Sequence, residues 1–416
     1  MKKKNELAIT RVVIATGISS VVTQLLTIRE FLAQFNGNEF IIALILFNWL
    51  VLGGIGTLLA HTVSRSTRHV AINRLGWLSF CLVCLPVLQI LGIRILREIL
   101  IIHGSSVGFY PTFAFTFFTI APYCLLIGFV LPYALFTIRK EIPAYSGAKI
   151  YITDNLGDIT GGALFSFVLV FMVSPMQAIL LSNLPLLLAT YLLFHFKRRY
   201  HPGAILFTML SIFILSAGIY LETPSLAPTE GKLAYYNESR YGRISVHQDR
   251  EQFTLFEDGS PSFSSQNLTV AEEAIHYPLS QINNPKNILI ISAEGGMMNQ
   301  VEKHRPKSVD FVELNPDVSN VLFRFNMIRK IPGLNVINKD GRAYLSASKK
   351  VYDAVIINLP EPTNFQINRF FTDRFYKIIK DHLSDNGILS FSVQGFDNYL
   401  AEPQRQKLSS LYNTAA

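Results

Sequence analysis

The sequence predicts a multi-pass α-helical membrane domain followed by an α/β, Rossmann-like domain with a small β-unit at its start. Three observations carry that expectation. Before about Leu221 the chain holds seven long apolar stretches, each near the ~20 residues that a bilayer core demands. From Lys286 onward, short aliphatic runs end repeatedly in glycine or acidic residues, as buried parallel strands with ligand-facing ends do. Between the two lie alternating runs around Asp258-Gly259, read as strands joined by a turn. The expected boundaries are 1–222 for the helical domain, 223–265 for linker and β-unit, and 266–416 for the α/β domain.

The apolar stretches centre on Ile14–Leu32, Ile41–Thr62, Leu75–Leu96, Phe113–Thr137, Leu156–Val173, Ala178–Phe196 and Ala204–Leu221. Buried helices of a large soluble core would show polar faces and caps, which are missing here. A cleaved leader would need one such run, not seven. Basic residues mark alternate connections: Lys2-Lys3-Lys4, Arg65/Arg68/Arg74, Arg139/Lys140/Lys149 and Lys197-Arg198-Arg199. Cytoplasmic loops of membrane proteins carry such an excess. Much of the net charge of +8 therefore belongs to membrane insertion, and no nucleic-acid partner is expected. Arg94 and Arg97 weaken the pattern without reversing it. The expected location is the cell (inner) membrane, with membrane lipid as partner. Seven crossings put the α/β half outside the cytoplasm and one miscounted segment reverses that, so its side stays open.

Within the helical half, Cys81, Cys84 and Cys124 all lie in apolar runs. The Cys81/Cys84 spacing lacks a second pair or a histidine, so helix packing is the expectation and no metal site or disulfide framework is predicted. Asp154 and Asp158 enter the fifth stretch in TDNLGDITGGALF. Charge at membrane depth is costly and often functional, although acids near a segment end can also reach headgroup water. Gly157 and Gly161 form a GxxxG surface for close helix packing.

The second half begins with a linker, Thr223–Lys232, followed by strands over Tyr241–His247 and Gln252–Glu257. Leu268–Ser280 reads as a helix carrying Glu272, Glu273 and His276, broken by Asn283-Asn284-Pro285. Asn287–Ile291 is the first core strand. It runs into Glu294-Gly295-Gly296, where paired glycines permit a tight turn and close approach of backbone to a ligand. A second strand, SVDFVEL, closes on Glu313, nineteen residues after Glu294. An acid ~20 residues after the first turn meets ribose hydroxyls in doubly wound sheets. A third strand, LNVIN, leads to Asp340-Gly341-Arg342, and a fourth, YDAVIIN, to Leu359-Pro360-Glu361-Pro362. Position alone thus marks a nucleoside site. Helix capping is the alternative for Asp340, and packing is the alternative for His276. Asp353 reads as structural, and Arg369 as a partner for a nearby acid. The helix FFTDRFYKIIKDHL then leads through Asp385-Asn386-Gly387 to a last strand, ILSFSVQG. Doubly wound sheets usually carry further strands, so C-terminal truncation is expected.

Together these residues resemble the spermidine synthases (polyamine aminopropyltransferases), in the bacterial branch with a membrane-spanning N-terminal half. The carrying motifs are SRYGRISV, FEDG, EEAIHYPL, NILIISAEGG, DFVELNPDV, KDGRAYL and INLPEPTNFQINRFFT, with TGISSVVTQLLTIRE and TDNLGDITGG in the apolar half. The resemblance implies a class I methyltransferase-type fold. It also implies decarboxylated S-adenosylmethionine as co-substrate with no further cofactor, putrescine as acceptor, spermidine and methylthioadenosine as products, and a homodimer. Glu313 would hold the ribose, Asp340-Gly341 the adenine side with Gly295 and Gly296 in the nucleoside loop, and His276 and Glu294 the amine. The chemistry agrees with the acids present, because a diamine is dicationic near neutrality, alkyl amines titrating near ~10.

Departures from the family pattern are specific. The family's Asp-x-x-Asp-Pro reads here as Asn358-Leu359-Pro360-Glu361-Pro362. Asn358 has no basic lone pair, so the proton falls to Glu361, with Asn358 positioning. The GGGDGG loop is shortened to Ser292-Ala293-Glu294-Gly295-Gly296. Gly242 replaces a nucleoside-contacting glutamine and Val270 an acceptor-site tyrosine. Two alternatives therefore stay open: a nucleoside- or polyamine-binding sensor without turnover, and a polyamine transporter using Asp154 or Asp158.

Overall fold

A computed structural model describes residues 2–35, 39–64, 70–101, 107–195, 202–227, 231–362, 364–393 and 399–415. Arg65, Arg68, Lys197-Arg198-Arg199, residues 228–230 of the linker and the end of the last predicted strand lie outside the described residues. The chain divides into a helical unit, residues 1–227 with 237–242, and an α/β unit, residues 228–236 with 243–416.

The helical unit contains α1 (Lys2–Gln34), α2 (Glu39–Ser64), α3 (Ile72–Leu100), α4 (Phe109–Glu141), α5 (Gly147–Leu164), α6 (Val170–Met172), α7 (Pro175–His195) and α8 (Pro202–Leu221). A π-helical segment, Phe165–Leu169, joins α5 to α6. Seven of these spans, counting Gly147–Met172 as one, are long and apolar enough to cross a membrane. Small residues set how closely they pack. A Cβ on Gly157 would lie 2.3 Å from the Ile14 carbonyl oxygen, and one on Gly161 2.6 Å from that of Ile18. The GxxxG of α5 is therefore pressed against α1. Gly56 and Gly128 do the same between α2 and α4.

Polar groups tie one end of this bundle. Arg94 of α3 donates to Glu30 of α1 at 2.8 Å, both side chains 1% exposed. Arg94 also donates to Ser225 Oγ at 2.8 Å. Glu222 accepts from the Ser174 hydroxyl and from the Met176 N–H. Arg94, which disturbs the count of basic loops, is thus a buried ion-pair partner and not a loop charge.

A four-stranded sheet runs β1 (Lys232–Ser239), β2 (Gly242–Asp249), β3 (Gln252–Glu257), β4 (Ser260–Ser264) in that order. The turn between β3 and β4 has φ of 45° at Asp258 and 75° at Gly259, the double left-handed geometry of a two-residue hairpin. Asp258 Oδ1 also accepts from the Arg243 N–H at 2.8 Å. Neither β1 nor β4 is predicted from sequence. The serines and Pro261 of β4 have poor strand propensity, so pairing with β3 decides its conformation.

The main sheet is parallel, ordered β7 (Leu334–Ile337), β6 (Ser308–Val312), β5 (Asn287–Ile291), β8 (Tyr352–Ile357), β9 (Leu383–Phe391). Helices α9 (Leu268–Leu279), α10 (Met297–Lys303), α11 (Pro316–Arg324), α12 (Gly341–Ala347), α13 (Phe365–Asn368), α14 (Asp373–Lys380) and α15 (Glu402–Ala415) complete it. This is the doubly wound order, with the first core strand in the middle. The small sheet shares a core with it, Val246, Leu255 and Phe263 packing with Ile275, Ile290 and Phe311.

Two boundaries differ from expectation. Helix α14 starts at Asp373, because Thr372 caps it through the Phe375 N–H. The Asp385-Asn386-Gly387 break lies inside β9, where Tyr352 pairs Leu383 but Ala354 pairs Ile388. The extra residues bulge and the strand resumes. Asp353 accepts from the Lys286 and Asn287 N–H groups and from Ser384, and so fastens β8 to β5 and β9.

One buried acid organises the sheet. Asp310, on β6 and 1% exposed, accepts from Tyr344 and Tyr352 hydroxyls at 2.8 and 2.7 Å, Lys350 at 2.7 Å and Asn335 at 2.9 Å. Burial alone would raise this carboxyl, but the bonds from Lys350, Tyr352, Asn335 and Tyr344 outweigh it and hold it below the usual range. Its stabilising contribution is therefore present above an unfolded-state pKa of ~3.9 and is lost as pH falls through the lower folded value. Asp310→Ala leaves several donors without an acceptor and should cost about 3 kcal/mol. Hydrogen exchange of β6 and β7 amides will register this as lost protection; unchanged protection would contradict it.

Candidate functional site

The polar residues flagged from sequence lie in a row along the C-terminal edge of the parallel sheet. Across β7, β6, β5 and β8 they come in the order Asp340, Glu313, Glu294, then Asn358 with Glu361. Strands stand ~4.8 Å apart, so the row covers roughly 15 Å. The chain leaves β5 toward β6 and β7, then crosses back to β8 on the other side. That reversal opens the crevice in which doubly wound sheets hold ligands.

Glu313 is buried. It accepts from the Asn315 N–H at 3.1 Å and bonds the Ser292 side chain, and burial raises its carboxyl against these bonds. Ser292 has φ of 59°, a strained value for a residue with a Cβ. The Ser292 N–H donates to the Val312 carbonyl at 3.0 Å, which holds the β5 loop to the end of β6.

Glu294 accepts from the Ser264 N–H at 3.0 Å and interacts with Asn267, with burial again raising it. Its carboxylate thus fastens β4 to the loop after β5. The same contact explains Gly295, where a Cβ would sit 2.1 Å from the Ser264 carbonyl oxygen. A strand of this chain thus makes a close approach at Gly295. Gly296, at φ of 85°, supplies the left-handed turn into α10. Gly341 is packed likewise, with Ile291 and Phe370 around the position of an added Cβ.

Asp340 caps α12 through the Ala343 N–H at 2.9 Å and pairs with Arg369. Asn358 follows β8, its N–H donating to the Ile291 carbonyl at 2.9 Å, with its side chain half-buried. Glu361 pairs with Lys407 of α15. His276 turns to α10: Nδ1 meets His304 Nε2 at 2.9 Å and Nε2 meets Gln300 Oε1 at 3.1 Å. Both ring nitrogens are thus engaged between helices. Burial lowers His304, and the facing His276 adds to that.

The structure adds one acid that sequence reasoning missed. Glu257, the last residue of β3, lies close enough to Glu313 for their charges to repel. Burial first, then Glu313, pushes its carboxyl up to about 8, against a hydrogen bond with Ser262. Its signal in the sequence is its place in the FEDG motif, directly before the Asp258-Gly259 turn. What meets at this edge is a set of acids, one of them with its carboxyl pushed up to about 8, beside a strained loop. Such a set favours cations, which would draw the Glu257 proton off.

Residues 268–406 match the family model described as "Spermine/spermidine synthase domain". A polyamine aminopropyltransferase of Oceanobacillus iheyensis is 28% identical over 263 residues, covering 59% of this chain and 51% of that one. The polyamine aminopropyltransferase of Korarchaeum cryptofilum is 32% identical over 132 residues, covering 30% of this chain and 40% of that one. The chain spans about half or less of the length of these relatives. Among solved structures, spermidine synthase from Thermotoga maritima is similar at 22% identity and a TM-score of 0.38, over 44% of this chain and 64% of that one.

Glu257 gives a pH expectation. A carboxyl whose folded pKa is raised stabilises the fold below its unfolded value of ~4.3, and that contribution is lost as pH rises through about 8. Amide protection of β3 and β6, corrected for intrinsic exchange, should therefore fall between pH 5 and 9, and Glu257→Gln should flatten the fall. A flat wild-type profile would remove the basis for this assignment.

Proposed function

We propose that the α/β unit is a transferase that moves an aminopropyl group from decarboxylated S-adenosylmethionine to putrescine, and that the helical unit anchors it in a membrane as a multi-pass segment. The observation that carries this reading is the spermine/spermidine synthase match over residues 268–406, which covers the acid row on the sheet edge. The donor is a sulfonium and the acceptor a diammonium, so both need a negative pocket. Glu257, Glu313, Glu294 and Glu361 supply it.

In this reading Glu313 accepts from the ribose hydroxyls. Asp340 and Gly341 border the adenine, Gly295 and Gly296 shape the loop beneath the nucleoside, and His276 and Glu294 flank the amine. Once one acceptor ammonium has given up a proton, its freed nitrogen lone pair attacks the methylene carbon bound to sulfur. A C–N bond forms, the C–S bond breaks with its electron pair going to sulfur, and methylthioadenosine leaves. The amine proton passes to Glu361, while Asn358 aligns the nitrogen by hydrogen bonding. Lys407 occupies Glu361 with a primary ammonium, the same group that putrescine presents, so substrate binding exchanges one ammonium for another. The reaction balances without a further cofactor.

A second reading keeps the binding and omits the turnover. It is favoured by Asn358 at the position of the family base and by the engagement of Glu361. Incubating the purified full chain with donor and putrescine, and assaying spermidine and methylthioadenosine, separates the two. Under the first reading both products form and Glu361→Gln loses ~10²-fold in rate. Saturable calorimetric binding of methylthioadenosine with no product formed supports the second. Lys407→Ala should lower the KM for putrescine several-fold, by removing the competing ammonium; an unchanged KM would count against that exchange.

A further inference from the structure

The helical unit carries chemistry of its own at mid-depth. Asp158 lies near the middle of the Gly147–Met172 span, Tyr123 near that of α4, Asn183 near that of α7, and Ser19, Ser20 and Thr23 near that of α1. Ser20 Oγ donates to Asp158 Oδ1 at 3.4 Å, and Ser19 Oγ donates to Asn183 Oδ1 at 2.8 Å. The Tyr123 hydroxyl lies beside Thr23 and Ser19, with the Asp158 carboxyl near enough to interact with it through charge. Tyr123 is 1% and Thr23 0% exposed, yet neither hydroxyl makes a well-formed hydrogen bond among the described residues. Asp154 stands one helical turn before Asp158, on the same face.

The contrast with Glu30 is instructive. That acid is met by Arg94, as a carboxylate out of water requires. Asp158 has one long hydroxyl contact, and no lysine or arginine pairs with it among the described residues. A carboxylate at such depth is costly when unpaired, and the unpartnered Tyr123 hydroxyl lies near enough to interact with its charge.

We propose that this cluster binds a protonated alkyl amine, held by Asp158 and by the hydroxyls of Ser20, Thr23 and Tyr123. A primary ammonium has three donors and no acceptor, which suits one carboxylate and several hydroxyl oxygens. Trp49 packs beside Tyr123 with ring centroids 5.7 Å apart, and such rings favour an organic cation by cation–π attraction. A metal ion fits poorly, since no group of three or more metal-ligating side chains exists among the described residues. The π-helical turn at Phe165–Leu169, seven residues beyond Asp158, is a distortion that concentrates at functional sites. This site is separate from the sheet edge and does not depend on the transferase reading.

Both tryptophans of the chain, Trp49 and Trp77, lie in the helical unit. In Trp77→Phe protein the emission therefore reports on Trp49 beside the cluster. Putrescine is titrated into that full chain in lipid nanodiscs at constant ionic strength. The expected result is a saturable change whose midpoint rises at least ~10-fold in Asp158→Asn and roughly fivefold in Tyr123→Phe, the loss of one hydrogen bond. Tyr123→Phe and Thr23→Val each remove a single hydroxyl, so the test stands even if Asp158→Asn fails to fold. The absence of a saturable change, the same midpoint in the variants, or an equal response to sodium chloride would overturn the proposal. Amine bound only in the α/β unit, which holds no tryptophan, would appear as an identical titration in Asp158→Asn.

Discussion

An acid taken out of water must be given donors, and the Asp310 carboxylate shows how much of the α/β unit follows from that requirement. Its four partners come from β7, α12, the loop after α12 and β8. The strands and connections on both sides of β6 are thus tied to one charged centre inside the sheet. With those elements held, the loops at the strand C-termini are fixed by short contacts of their own: Ser292 on Val312, Glu294 on Ser264, Asp340 on Arg369. The acid row stands on a sheet whose register is locked from below, so the site is positioned by rigid elements and not by its loops alone.

The same requirement divides the acids of the helical unit. Glu30 and Glu222 are provided for, the first by Arg94 and the second by Ser174 and the Met176 N–H. Apolar burial cannot distinguish one helix neighbour from another where every surface is leucine-like. Specific pairing comes instead from glycine contacts such as Gly157 on Ile14 and from these polar links. Asp158 stands apart, with one long hydrogen bond from Ser20 and no lysine or arginine paired with it among the described residues.

Several site residues have two jobs. Asp340 caps a helix and takes an arginine, and Glu294 braces the small sheet against the main one. Gly295 and Gly341 are small because protein atoms fill the space beside them. Residues of this kind look functional from sequence because they sit at strand ends, and at strand ends the geometry of the fold makes the same demand for acids and glycines. Glu257 illustrates the converse. Within β3 it reads as an ordinary strand-terminal acid, and burial, with the approach of Glu313 added, gives it a raised pKa.

By itself the sequence determined what depends on periodicity and local backbone chemistry. Continuous aliphatic runs gave β5, β6 and β8, long apolar stretches gave the seven spans, and Asp258-Gly259 gave its turn, because each is set by neighbours along the chain. Tertiary structure decided whatever depends on partners far apart. Strands β1 and β4 exist through pairing, the Asp385-Asn386-Gly387 segment became a bulge because β9 had to keep register with β8, and His276 was drawn to Gln300 and His304. The partners of the site acids, Lys407 for Glu361, Arg369 for Asp340 and Glu257 beside Glu313, were decided there too. The energy of a charge depends on what lies within a few ångströms of it, and spacing along the sequence does not carry that distance.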